Sequence, residues 1–180
     1  MIRLLKAGLF RLKKDILFWI FIFLTIGLAI LTLVRYVPIE GITLDSALNE
    51  FLIYIGLFIA IFVSIFVGKE HSQGIIRNKI IVGHSRFSIF LANLIICIIV
   101  SLLCELIYLA IIFLVGTPLL GQLQMTLSQF IGILVNTIFI IISFCSIYNF
   151  VTMLCSEITI STTICIILFI AMFIAQGAFS

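Results

Sequence analysis

Residues 16–34 read ILFWIFIFLTIGLAILTLV, nineteen consecutive positions without a charge. A helix of that length covers about 28 Å, close to the hydrocarbon thickness of a bilayer. Comparable apolar runs recur at 51–67, 89–115, 127–154 and 158–179, uncharged except for Glu105 in the second of these. Of the 180 residues, 64% are hydrophobic and only 9% charged, so a water-facing surface cannot be made and the bilayer must be the solvent. The expected fold is all-α, a polytopic membrane helix bundle of about five transmembrane helices in one domain spanning 1–180.

Ahead of the first run, residues 1–15 carry Arg3, Lys6, Arg11, Lys13 and Lys14. Drawn as a helix, Ile2, Leu5, Leu9, Leu12 and Ile16 share a face, Arg3, Arg11 and Lys14 lie away from it, and Leu4 and Phe10 spoil the pattern. The expectation is an interfacial amphipathic helix with lysines snorkelling toward headgroups. A signal peptide fits less well, because the run that follows is longer than a signal core and no small-x-small cleavage site follows it. Nine of the ten cations fall before residue 16 or in the stretch 68–88, leaving only Arg35 on the other side of the spans. That asymmetry predicts a cytoplasmic amino terminus in a cell membrane, and it explains the net charge of +3 without a nucleic-acid partner. Arg35 to Glu50 reads as a polar loop with Pro38, Gly41, Glu40 and Asp45, and Gly116-Thr117-Pro118 as the end of the third span.

Gly68 to Ser88, GKEHSQGIIRNKIIVGHSRFS, gathers four basic residues and both histidines between two apolar runs. Its middle, Gly74 to Val82, can form a short helix with Ile75, Ile76, Ile80 and Ile81 near one side and Arg77, Asn78 and Lys79 on the other. Gly83 is a natural stop, and Ser85 can cap the helix that follows. The combination of Gly68-Lys69-Glu70, Gly74-Ile75-Ile76-Arg77-Asn78-Lys79 and Gly83-His84-Ser85-Arg86 resembles the cytoplasmic loop between the second and third membrane helices of type-2 ABC exporter permeases. The resemblance runs the length of the chain, with its motif confined to this loop.

That resemblance implies a coupling helix seated in a groove of a separate ATP-binding subunit, which Glu70, Gly74, Ile75, Ile76, Arg77, Lys79 and Arg86 would contact, with Glu70 holding Arg77 or Arg86. It also implies a second permease copy, or a similar chain, enclosing the path. The family has six membrane helices; the sequence ends at Gly177-Ala178-Phe179-Ser180 after five, as a fragment or a shortened relative would. The chain itself has no GxxxxGK[ST] phosphate loop and no HExxH or GxSxG, so no cofactor is expected here; the resemblance then implies that ATP and Mg belong on the partner and that the chain is a transport subunit, not an enzyme.

Glu105 stands inside the third span between Cys104 and Leu106, where a carboxylate must be paired, protonated or near water. It could line a substrate path or relay a proton, or sit as a neutral acid against Asn93, Asn136 or Asn149, or lie nearer the outer interface than its position suggests. Glu157 reads as an exposed surface acid, and His71 and His84 as solvated loop residues instead of metal ligands. The five cysteines form no CxxC pair and read as small apolar residues. Two other functional classes fit the same chain: a non-transporting membrane immunity or scaffold protein, and an ion-coupled secondary carrier using Glu105.

Overall fold

The structure, a computed structural model, describes residues 2–37, 44–120, 125–155 and 157–178. Among these it contains no strand. Helix α1 (Ile2–Lys14) precedes α2 (Ile16–Tyr36), α3 (Leu44–Ser72), the short α4 (Ile75–Ile81) and α5 (Arg86–Ile111). A π-helical turn over Ile112–Gly116 carries α5 into α6 (Thr117–Leu120), and α7 (Leu127–Leu154) and α8 (Ile158–Ala178) complete the order. Five helical stretches, Ile16–Tyr36, Tyr54–Ser72, Arg86–Leu120, Leu127–Leu154 and Ile158–Ala175, are long and apolar enough to cross a bilayer. The protein is a multi-pass, all-α membrane bundle.

Helix α3 is the axis around which the others stand. Between its charged ends it is uncharged from residue 51 to 68, and Ile55, Ile59, Phe62, Val63, Phe66 and Val67 are all buried, as expected of a helix enclosed by neighbours. Gly56, Ala60, Ser64 and Gly68 fall at intervals of four, forming a buried stripe of small residues that lets α8 approach closely. A Cβ on Gly56 would meet the Phe169 ring at 2.7 and 2.9 Å, and one on Gly68 would meet Ile158 at 3.3 Å. As the α3 number falls from 68 to 56 its α8 partner rises from 158 to 169, so the two helices run antiparallel.

Ionic clamps join α2 and α3 at both ends. Lys69 Nζ lies 3.2 Å from Asp15 Oδ1 at one rim, and Arg35 Nη1 donates to Glu50 at 2.8 Å at the other. On each helix the two charged positions are about 20 residues apart, roughly 30 Å at the helical rise and thus one hydrocarbon thickness. The charges therefore sit where the apolar slab ends, and the helix pair is held in register across it.

Several boundaries differ from the sequence expectation. Helix α3 starts at Leu44, so Asp45 and Glu50 are helical and not in a polar loop; Glu50 is tolerated there because Arg35 and the Tyr54 hydroxyl reach its carboxylate. At its other end α3 takes in Gly68–Ser72, shortening the loop proper. Gly116-Thr117-Pro118 does not end the third span. The π turn shifts the backbone pairing just before Pro118, which lacks an N–H, and the Thr117 hydroxyl donates to the Phe113 carbonyl. The fourth span matches its expected limits as one unbroken helix, its start fixed by a capping box between Thr126 and Gln129. Pro38, Glu40, Gly41, Ser156, Phe179 and Ser180 lie outside the described residues.

The α3–α8 seam makes a prediction. Gly56→Ala should lower stability by about 1–3 kcal/mol through overpacking against Phe169, whereas Gly27→Ala, whose Cβ meets nothing within 4 Å, should leave it unchanged or slightly raised. Thermal unfolding of the two purified variants in detergent checks this.

Candidate functional site: a buried ionic hub beneath a short rim helix

Two glycines frame α4. Gly74 (φ +68°) turns the chain out of α3 and Gly83 (φ +95°) turns it toward α5, both in the region open to glycine and strained for other residues. Ser85 Oγ then accepts the Ser88 N–H at 3.2 Å and caps α5, so the stop and the cap stand where the sequence puts them. Between these turns, Ile75 and Lys79, four apart, share the face of α4 that points back at α3.

Behind that face lies Glu70, only 1% exposed. Its Oε1 accepts from Arg11 Nη1 at 2.6 Å and from Lys79 Nζ at 2.7 Å, and its Oε2 accepts from Asn93 Nδ2 at 2.7 Å. Arg11 also donates through Nη2 to the Phe66 carbonyl at 3.2 Å and stacks over the Phe66 ring at 4.5 Å. One carboxylate thus joins four helices: α1 through Arg11, α3 itself, α4 through Lys79 and α5 through Asn93. These are short, charge-assisted bonds, and both oxygens are matched. The neighbouring Lys69–Asp15 pair, whose aspartate also accepts the Leu17 N–H as N-cap of α2, adds a fifth helix to the layer.

The expected partners of Glu70 are corrected here. Arg77 and Arg86 are both exposed, and among the described residues neither has an ion-pair partner. Lys79 takes that place because α4 begins only after Gly74, which turns the fourth residue beyond Ile75 inward. Ile75 and Ile76 are half-buried, while Ile81 is 72% exposed and Val82 and Ile80 also face outward. The short helix is therefore present, but its four isoleucines do not share a buried side: Ile80 and Ile81 face outward, and Lys79 lies on the side that faces α3.

Helix α1 also turns differently from the expectation. Leu4, Gly8 and Leu12 are its buried face, with Gly8 against Ile96 of α5, and Leu9 and Phe10 point outward. Leu4, an irregularity in the sequence pattern, is in the contact, and Arg11, assigned to the outer side, is the arm that enters the hub. Gly8 carries the signal that was missed: a residue without a side chain, flanked at four-residue spacing by leucines, marks a close helix approach. Asn93, an amide two turns into an apolar span, is a second such signal.

Glu105 stands apart from this group. It is 7% exposed, and its Oε2 has no hydrogen-bond partner. None of the three asparagines offered for it is engaged there: Asn93 serves Glu70, Asn149 donates to the Phe90 carbonyl at 3.1 Å, and Asn136 is exposed on α7. One turn further along α5, Tyr108 donates to the Ala47 carbonyl at 2.8 Å near the start of α3, so Glu105 lies close to the layer of Arg35 and Glu50. Glu157 is exposed, Cys97, Cys104, Cys145 and Cys165 are buried, and all five thiols are free. No group of His, Cys, Asp and Glu that could hold a metal ion occurs among the described residues. In comparisons with known proteins, no family model, curated protein or solved structure matches the chain.

Removing the hub's acid should be costly. Glu70→Ala leaves Arg11 and Lys79 as unmatched, largely buried cations and should cost about 3–5 kcal/mol, whereas Arg77→Ala and Arg86→Ala should each stay within about 0.5 kcal/mol of the parent. Reversible unfolding of the three proteins in mixed micelles measures the difference.

Proposed function

We propose that this chain is the membrane-spanning permease subunit of an ATP-driven exporter, of the type-2 ABC kind, worked by a separate ATP-binding subunit that bears on α4. The observation that carries the proposal is the construction of α4: a two-turn helix at the rim, fastened from behind by Lys79 to a buried carboxylate, with Ile81 and Val82 left bare on its free side. Apolar side chains exposed at a polar rim fit a protein groove better than water. A push on α4 is delivered through Lys79 to Glu70, and from there to α3, to α5 through Asn93 and to α1 through Arg11. Because α2 and α3 are clamped at both ends, such a push tilts them together instead of bending one alone.

ATP and Mg belong to the partner, whose hydrolysis supplies the work; this chain supplies the lever and the walls of the path. The charge asymmetry of the sequence supports a cytoplasmic position for α1 and α4 in a cell membrane. A second copy, or a similar chain, is supported by α7, whose outward face carries Gln129, Gly132, Asn136 and Ser143. Lipid tails cannot satisfy a free amide such as that of Asn136, whereas a facing helix with the same pattern can. The carrier reading keeps one observation in its favour, the unpartnered oxygen of Glu105.

Affinity purification from native membranes tests the assignment. The parent chain should bring down a Walker A-containing ATPase, and Ile81→Asp and Arg77→Glu should each reduce the amount recovered by about tenfold with membrane insertion intact. Full recovery with both variants, or no ATPase with the parent, would overturn the exporter reading. Export that survives ATP depletion and stops when the proton gradient is dissipated would move the function to Glu105.

A further inference from the structure

Between the flank of α4, the first turns of α5 and the end of α7 lies an open cleft of about 850 Å³. Arg77 and Arg86 line it together with the apolar side chains of Phe87, Phe90, Phe150 and Met153. Phe87 and Phe150, 71% and 58% exposed, are bare apolar surface in the same cleft as the two arginines. No carboxylate lines the cleft, and among the described residues neither arginine has an ion-pair partner.

The depth of the cleft identifies what fits it. Asn93, bonded to Glu70, marks the level at which charged side chains take over from the apolar slab. Arg86 lies seven residues earlier on α5, roughly 10 Å further toward the polar side, and a headgroup layer adds about 5–8 Å to each face of the hydrocarbon. Phe90 falls between these levels, and Asn149 holds α7 to its carbonyl, so the two walls are tied. Arg86 therefore stands at phosphate height, and Phe90, with Phe150 beside the Asn149 bond, at the height of the upper acyl chains.

We propose that this cleft binds an anionic phospholipid, its phosphate between Arg77 and Arg86 and its chains along Phe87, Phe90, Phe150 and Met153. Guanidinium groups offer phosphate paired donors in a plane, and basic pockets between membrane helices select acidic headgroups. A zwitterionic headgroup would set its own cation beside two guanidiniums with no carboxylate to receive it. The bound lipid ties α4 to the start of α5 and the end of α7; Arg77 belongs to this cleft and to the proposed ATPase contact alike, whereas Phe87, Phe90, Phe150 and Met153 belong to the cleft alone, so lipid retention is read on the chain without an ATPase.

Native mass spectrometry of the full chain, offered equal amounts of phosphatidylglycerol and phosphatidylcholine, tests the proposal. The parent protein should retain phosphatidylglycerol with a preference of roughly 10- to 30-fold, the combined effect expected of two cations. Arg77→Gln with Arg86→Gln should bring the two lipids to near parity. Phe150→Asn should also weaken retention, and Lys13→Gln with Lys14→Gln, which removes two exposed cations of α1, should leave the preference intact. Equal retention of both lipids by the parent would leave the cleft to a polypeptide and overturn the proposal, as would a preference that survives loss of both arginines or falls equally with loss of the lysines.

Discussion

A carboxylate withdrawn from water must be met by donors withdrawn with it, since an unmatched buried charge costs several kcal/mol. Glu70 meets that condition with three donors from three other helices. Its requirement fixes which side of α1 faces the bundle, which residue of α4 turns inward and how far α5 slides along α3. The rim helices contribute little apolar burial of their own: α4 has no fully buried residue, and α1 buries only a narrow strip around Leu4 and Leu12. Their placement therefore depends on the hub.

Deeper in the slab, other forces order the helices. Lipid tails are as apolar as leucine, so helices associate there through close fit and shared polar contacts, not through escape from water. The Gly56-Ala60-Ser64-Gly68 stripe gives α3 and α8 that fit, and the Tyr108 hydroxyl gives α5 a bond to the first turns of α3. The charges sit at the two ends of this region. Asp15 with Lys69 and Arg35 with Glu50 set the length over which α2 and α3 face hydrocarbon. A helix pair clamped at each rim and packed along its middle is held in a single register.

The architecture was legible because membrane spans are written in the coarsest property of a sequence. Apolar runs of bilayer length have few alternative structures, and all five appear as helices. Their limits were less legible wherever a charge sits inside a helix, because a charge looks like an end until its partner is known. Glu50 is helical on account of Arg35, fifteen residues away, and Glu70 on account of Arg11, fifty-nine away. Such pairings carry no local mark. The turns around α4 were readable, since Gly74 and Gly83 act on their own backbone, whereas the partner of Glu70 depended on the phase of a seven-residue helix, and one residue's change of phase exchanges Lys79 for a neighbour.

If the hub governs both rim helices, its loss should be felt most at two places distant in sequence, the two helices with little burial of their own. Amide hydrogen exchange on Glu70→Leu, compared with the parent in the same bilayer discs, examines this directly. The account predicts that protection falls together over α1 and α4 while α7 and α8 keep theirs. Unchanged protection of α1 and α4, or a loss spread evenly over all the helices, would contradict it.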